Sequence, residues 1–416
     1  MTASQTTPAA ATAPLSGSID MKEYGHYANS LPIVAARYQD AAVQVDWQVL
    51  DTLESAEFPL LWLLDHCACD ACRHPQTYER TQFILDLDPA VLETAPAISV
   101  EDGHLSLTWA DGHLSRFDAG WLYQLRPHQQ AWQPCIVPAN VAWAEDFAPH
   151  RTNFSDYMAG GSARLEWLHA LCRDGFAILQ NGPHEGGEID QVAATIGPIR
   201  ATNFGGRFEV FSKPKPNNAA YTALGLELHT DLTNWKNPPD IQMLYCLANS
   251  AQGGESIFAD GVAVAEALRA QDPEAFRLLA ETAIDCRFAD EETDIVTRAT
   301  VIHLDENDQV IEVRFNNWLR DSLRLPPEQI MPWYRAYLAF WKILRSPRYR
   351  LDLRLAAGEM VAFDNRRVMH GRKSFDPQTG HRHLQGCYVD YDMVESALRV
   401  TARKGCAAEG EYPHSA

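Results

Sequence analysis

The chain has 416 residues, 46% of them apolar and 22% charged, a balance that supports a sizeable core in two domains or in one large domain with an appendage. Its formal net charge of −20 excludes a general nucleic-acid or anionic-membrane surface, which needs clustered Lys and Arg, so an anionic ligand must be held by a local arginine. No apolar run approaches the roughly 20 residues that cross a bilayer, and residues 1–20, without a basic start or a long apolar core, read as a disordered tail of a cytoplasmic protein.

Residues 21–130 read as a small β-rich domain of short alternating strands, among them Phe83 to Leu87 and Leu105 to Trp109, separated by turns such as Ala110-Asp111-Gly112. Three of the nine cysteines crowd into His66-Cys67-Ala68-Cys69-Asp70-Ala71-Cys72, and this odd, clustered set does not resemble a secreted disulfide framework. Cys67, Cys69 and Cys72 supply three soft ligands, and His113 can close a tetrahedral Cys3His zinc site, with His74 as the rival fourth ligand. A redox pair of Cys69 and Cys72, or three unrelated buried thiols, are the competing readings.

Residues 131–158 form a proline-broken linker, and residues 159–402 a second domain with a tail at 403–416. It opens with a helix over Ser162 to Arg173, followed by a buried strand from Phe176 to Leu179. Residues 195–217, interrupted by Gly and Pro, read as an irregular lid. Strands follow at Ile241 to Leu247 and Ser256 to Phe258, then a helix over Val262 to Ala270 stopped by Pro273, and a hairpin around Asn307-Asp308. The aromatic stripe of Trp333, Tyr337, Phe340 and Trp341 marks a packed helix face, and strands at Arg350 to Leu355, Met360 to Phe363 and Gly386 to Asp390 complete a β core with helices outside it.

The chemistry sits in Gly225-Leu226-Glu227-Leu228-His229-Thr230-Asp231. His229 and Asp231, two apart at a strand end, leave one face together, and His370, far downstream, supplies the third member of a two-His-one-carboxylate triad. A bare His-x-Asp is more often a plain histidine–carboxylate pair, so the downstream partner matters. Such a triad suggests a double-stranded β-helix oxygenase that uses a 2-oxo acid, and Arg382, twelve residues after His370 (382 − 370 = 12), is the expected carboxylate anchor on the strand beside it.

The ordered motifs Cys67-x-Cys69-x-x-Cys72, Trp109-x-Asp111-x-His113, Asn218-x-x-Tyr221, His229-Thr230-Asp231, Gly253-Gly254-Glu255-Ser256, Phe315-Asn316-Asn317, Asp364-Asn365-x-Arg367-x-x-His370-Gly371-Arg372 and Arg382-His383-Leu384 resemble the gamma-butyrobetaine hydroxylase and trimethyllysine hydroxylase family, the iron- and 2-oxoglutarate-dependent oxygenases of carnitine biosynthesis, from about residue 45 to 400. The resemblance implies an α+β, mainly β protein: a double-stranded β-helix (jelly-roll) catalytic domain behind a zinc-binding domain with ligands Cys67, Cys69, Cys72 and His113, assembled as a homodimer. It implies Fe(II) on His229, Asp231 and His370, 2-oxoglutarate on Arg382, O2 as co-substrate, and ascorbate as a candidate further cofactor.

Its implied substrate is a trimethylammonium compound, caged by Phe204, Phe208, Tyr221 and Tyr388, with Asn218 and Asn316 on the anionic head. The butyrobetaine enzymes resemble this chain with Tyr and Trp where it has Phe204 and Phe208, and the plain alternative is that these two only pack the lid. Gamma-butyrobetaine is the leading substrate; trimethyllysine, or a trimethylammonium phosphonate met by nearby Arg314, is the runner-up. From another class, a metal-dependent binding or sensing module without turnover is the alternative.

Overall fold

The structure is a computed structural model, and it describes residues 31–127, 137–211 and 222–409 apart from Tyr78 and Asp102. The chain divides into two compact units, one running through Pro134 and the other from Cys135 to Glu409, so the second unit starts ahead of residue 159.

In the first unit, β1 (Ile33–Gln39), β2 (Ala42–Val49) and β3 (Thr52–Pro59) form one antiparallel sheet, and β4 (Ala97–Glu101), β5 (His104–Thr108) and β6 (Leu114–Asp118) a second. Val43, Val45 and Trp47, alternating along β2, point into one core with Phe58, Leu105, Leu107, Phe117 and Trp121. The expected strand over Phe83 to Leu87 is absent. Ile84–Asp86 is a short 3-10 turn, and Phe83, Ile84 and Leu85 are exposed. Asp88 accepts the Ala90 N–H and caps helix Pro89–Glu93, which turns the chain before a partner strand can satisfy the run's backbone groups.

In the second unit, the strands are β7 (His150–Asn153), β8 (Phe176–Gln180), β9 (Arg207–Val210), β10 (Leu226–His229), β11 (Ile241–Asn249), β12 (Gln252–Gly253), β13 (Ser256–Asp260), β14 (Ile284–Ala289), β15 (Asp294–Ala299), β16 (Ile302–Leu304), β17 (Val310–Val313), β18 (Leu351–Leu353), β19 (Met360–Asp364), β20 (Val368–Arg372), β21 (Phe375–Asp376) and β22 (Arg382–Val389). One sheet has the order β7-β8-β19-β11-β22-β9 and the other β10-β20-β13-β18. From β9 to β22 the chain crosses repeatedly between the two sheets, β9, β11, β19 and β22 lying in one and β10, β13, β18 and β20 in the other.

Phe176, Ile178, Cys246, Val361, Phe363 and Leu384 from one sheet meet Phe258 and Val368 from the other in the core between them. All five residues of β19 are buried because its opposite face packs on helices Gly161–Asp174, Glu188–Ile196 and Tyr391–Glu409. Helices Gly261–Gln271, Pro273–Glu281 and Pro327–Leu344 cover the outer face of the second sheet, with Trp333, Tyr337 and Phe340 buried among them.

Two local readings change. Pro273 starts a helix as well as following one, since a proline in the first helical turn loses no backbone bond and Asp272 caps that turn. Within the expected lid, Arg207–Val210 is a strand paired with β22, because the bonds that β22 offers outweigh the nearby glycines.

Candidate active site

β10 and β20 are antiparallel neighbours in which His229 and His370 stand directly opposite, their ring centroids 4.4 Å apart. Asp231 lies just past the end of β10 and turns its carboxylate back, with Oδ1 3.3 Å from His229 Nε2 and Oδ2 3.7 Å from His370 Nε2. One ligand atom from each of the three falls within 4.8 Å of the others. His229 Nδ1 donates to the Glu227 carbonyl oxygen at 2.8 Å, which fixes the ring with its Nε2 facing Asp231. Burial, with His229 adjacent, pulls the His370 pKa down to about 3 and keeps that ring neutral. Burial pushes the Asp231 carboxyl the other way, yet His370, His229 and the Tyr388 hydroxyl together hold it well below the usual carboxylate range. Two imidazoles, one of them held neutral by its burial, and an ionised carboxylate on one face are a donor set that fits Fe(II).

Arg382 lies on β22, in the six-stranded sheet, whereas His370 is on β20 in the four-stranded one, so the expectation that they sit on adjacent strands is corrected. After β20 the chain crosses to the other sheet, and the two residues face one cavity of about 390 Å³ from opposite walls. Arg382 is 8% exposed, and its Nε is buried without a hydrogen-bond partner among the described residues. Burial, helped by the nearby Arg372 charge, lowers its pKa to about 10. A buried guanidinium with an open donor is costly until an anion meets it. Gly254 makes room for it: a Cβ there would lie 3.2 Å from Arg382 Cδ, and its φ of +74° suits glycine.

Phe204, Phe208 and Tyr388 line the same cavity, joined by Phe288 and Trp318. Phe208 packs against Tyr388 at 5.3 Å between centroids, and a Cβ on Gly386 would lie 2.3 Å from the Phe208 ring, so only glycine lets that ring approach the strand. Phe204 meets Phe288 edge-on at 5.6 Å. Asn218 and Tyr221 lie outside the described residues. Asn316 lines the cavity, but its Oδ1 accepts the Trp318 and Leu319 N–H groups and its Nδ2 donates to the Thr230 carbonyl, leaving one amide hydrogen for a ligand. Arg314 is committed to Glu312 and to the carbonyls of Trp235 and Lys236 and is not among the cavity residues, so the argument it offered for a phosphonate head falls.

Sequence reasoning missed Phe288 and Trp318. Trp318 stands two residues after Asn316 and could have been suspected from Phe315-Asn316-Asn317, whereas nothing local marks Phe288, which comes from the hairpin β14–β15.

In the first unit, His113 Nε2 lies 3.2 Å from Cys67 Sγ, 3.9 Å from Cys69 Sγ and 3.5 Å from Cys72 Sγ, and the four ligand atoms cluster within 4.8 Å. A hydrogen bond from Cys72, opposed by burial and reinforced by His113, draws the Cys67 pKa down to about 4, so one thiolate stands ready. Three sulfurs and an imidazole in this arrangement fit zinc. His74, the rival ligand, instead accepts the Gln76 and Thr77 N–H groups in its own turn.

The family model "Taurine catabolism dioxygenase TauD, TfdA family" matches residues 140–388, and "Gamma-butyrobetaine hydroxylase-like, N-terminal" matches residues 34–123. The chain belongs to the TauD, TfdA dioxygenase family. This dioxygenase is 37% identical to a gamma-butyrobetaine dioxygenase of Pseudomonas sp. (strain AK-1), over 89% of this chain and 97% of that one. It is also 29% identical to the gamma-butyrobetaine dioxygenase of Homo sapiens, over 84% of this chain and 92% of that one. A mitochondrial trimethyllysine dioxygenase of Rattus norvegicus shares 27% identity, over 82% of each chain. No helix among the dioxygenase's described residues is long and apolar enough to cross a membrane.

Proposed function

We propose that this dioxygenase hydroxylates a trimethylammonium substrate, gamma-butyrobetaine first, with Fe(II) held by His229, Asp231 and His370 and 2-oxoglutarate anchored by Arg382. The observation that carries the reading is the coincidence in one cavity of the three clustered ligands, a buried arginine with an open donor, and an aromatic wall. The iron, when bound, supplies the oxidising power that couples 2-oxoglutarate decarboxylation to C–H hydroxylation.

The chain's own residues place and enclose the reactants. Arg382 offers a forked donor to the carboxylate of the co-substrate remote from the metal. Phe204, Phe208, Phe288, Trp318 and Tyr388 exclude water, and they face a cation with rings where Asp231 is the only carboxylate among the described lining residues. The reading includes a structural zinc on Cys67, Cys69, Cys72 and His113 and a homodimer, the latter open to analytical ultracentrifugation.

The test is succinate release from 2-oxoglutarate with gamma-butyrobetaine, trimethyllysine and a trimethylammonium phosphonate in turn. Coupled hydroxylation fastest with gamma-butyrobetaine supports the proposal. Faster turnover of another compound reassigns the substrate, and no turnover with any of them returns the protein to a binding or sensing role.

A further inference from the structure

We propose that Asn365 is a positioning residue that aims the Asp231 carboxylate and thereby sets the metal affinity of the site, an inference that rests on the reading of His229, Asp231 and His370 as metal ligands. Asp231 stands beyond the last residue of β10, so no strand neighbour fixes its peptide. The Asn365 side chain takes that place. Its Oδ1 accepts the Asp231 N–H at 2.6 Å, and its Nδ2 donates to the Asp231 carbonyl at 3.2 Å. A primary amide thus pairs with both backbone groups of one residue, as a neighbouring strand would.

The second Nδ2 hydrogen reaches the Pro239 carbonyl at 2.9 Å, and the Asn365 backbone N–H donates to the Asp240 carbonyl at 2.7 Å. Asn365 is 1% exposed, so these bonds form away from competing water. It stands in the turn between β19 and β20, five residues before His370 (370 − 365 = 5), and so joins the Asp231 loop to the strand that carries another ligand.

The preceding residue is held separately. Thr230 N–H donates to the Phe315 carbonyl at 2.8 Å, the Thr230 hydroxyl accepts the Phe315 N–H at 3.0 Å, and Asn316 Nδ2 reaches the Thr230 carbonyl at 3.1 Å. The residue after Asp231, Leu232, has φ of 55°, a left-handed conformation that a leucine adopts when its surroundings impose it. With Thr230 pinned on one side and Leu232 turned on the other, the Asn365 amide sets the peptide between them. Aspartate at this position would keep the acceptor but press an oxygen against two carbonyls, and alanine would leave all three partners unmet.

The test is Mn(II) binding to iron-free protein, followed by electron paramagnetic resonance, because Mn(II) favours the oxygen and nitrogen donors of this site over the thiolates of the other. Asn365→Asp and Asn365→Ala are each expected to weaken Mn(II) binding 10- to 100-fold, roughly the loss seen when a residue that orients a ligand is removed, and to alter the spectrum at saturating metal. A merely structural role would lower the melting temperature of both variants while leaving the affinity and spectrum of the folded fraction at parental values, and that result would overturn the proposal. Asp231→Ala is the control. If it binds Mn(II) as tightly as the parent, the ligand reading itself fails and the proposal with it; if it loses Mn(II) while both Asn365 variants keep it, only the proposal fails.

Discussion

The Tyr388 hydroxyl donates to Asp231 Oδ2 at 2.7 Å, so a residue of the aromatic wall is also a partner of a proposed metal ligand. Its ring faces the cavity and packs on Phe208, while its oxygen bonds a carboxylate oxygen that also lies 3.7 Å from His370 Nε2. Tyr388→Phe separates the two duties, since it keeps the ring and removes the hydroxyl. A hydrogen bond to a charged group contributes about 1.5 to 3 kcal/mol, so the iron requirement should rise about tenfold or more while the preference for a cationic substrate persists. Tyr388→Leu should lose both. Metal titration of the two variants, followed by competition between cationic and neutral substrates, checks this.

The aromatic wall predicts a charge preference. Replacing the substrate's trimethylammonium group by a neutral tert-butyl group keeps its shape and removes the cation–π attraction, which contributes about 0.5 to 2 kcal/mol per desolvated contact. Two such contacts, about 1 to 4 kcal/mol together, make the neutral analogue roughly fivefold weaker or more in apparent affinity. Trp318→Leu should narrow the gap, because indole is the best π partner among these side chains. Equal use of both compounds by the parent protein would reduce the rings to packing and remove the quaternary ammonium substrate.

Arg382→Ala should raise the 2-oxoglutarate KM by an order of magnitude or more, since about 1.5 to 3 kcal/mol attends each hydrogen bond to a charged group, and should leave Mn(II) affinity near parental because the residue touches no metal ligand. Arg382→Lys should recover only part of the loss, because an ammonium cannot fork onto both carboxylate oxygens. Unchanged KM in both variants would remove Arg382 from the co-substrate site. Steady-state kinetics at saturating iron measures it.

The Cys3His cluster should retain about one zinc per chain after mild chelation that strips iron. Cys69→Ser should lower the melting temperature and the soluble yield, because structural zinc contributes directly to folding free energy. Elemental analysis with thermal denaturation decides the matter: a metal-free protein as stable as the parent would rule out a structural zinc.

Part of the site was legible from the chain alone because it is local. On extended backbone residues two apart share a face, so His229-x-Asp231 declared itself, and three cysteines within six residues (72 − 67 + 1 = 6) can converge wherever the loop lies. The helix over Gly161–Asp174, the buried strand after it and the run Met360–Asp364 were readable for the same reason, since apolar spacing reports which residues face a core.

Tertiary structure decided what depends on which strands meet. Spacing placed Arg382 near His370, but sheet pairing put it on the opposite wall, because β20 and β22 belong to different sheets. Arg314 looked available to a ligand until the fold brought it to Glu312 and two carbonyls, and Phe83 to Leu87 had strand composition but closes into a 3-10 turn. Phe288, the Tyr388 bond to Asp231 and the Asn365 clamp join residues far apart in sequence, and such meetings follow from register and sheet crossing, which no local periodicity encodes.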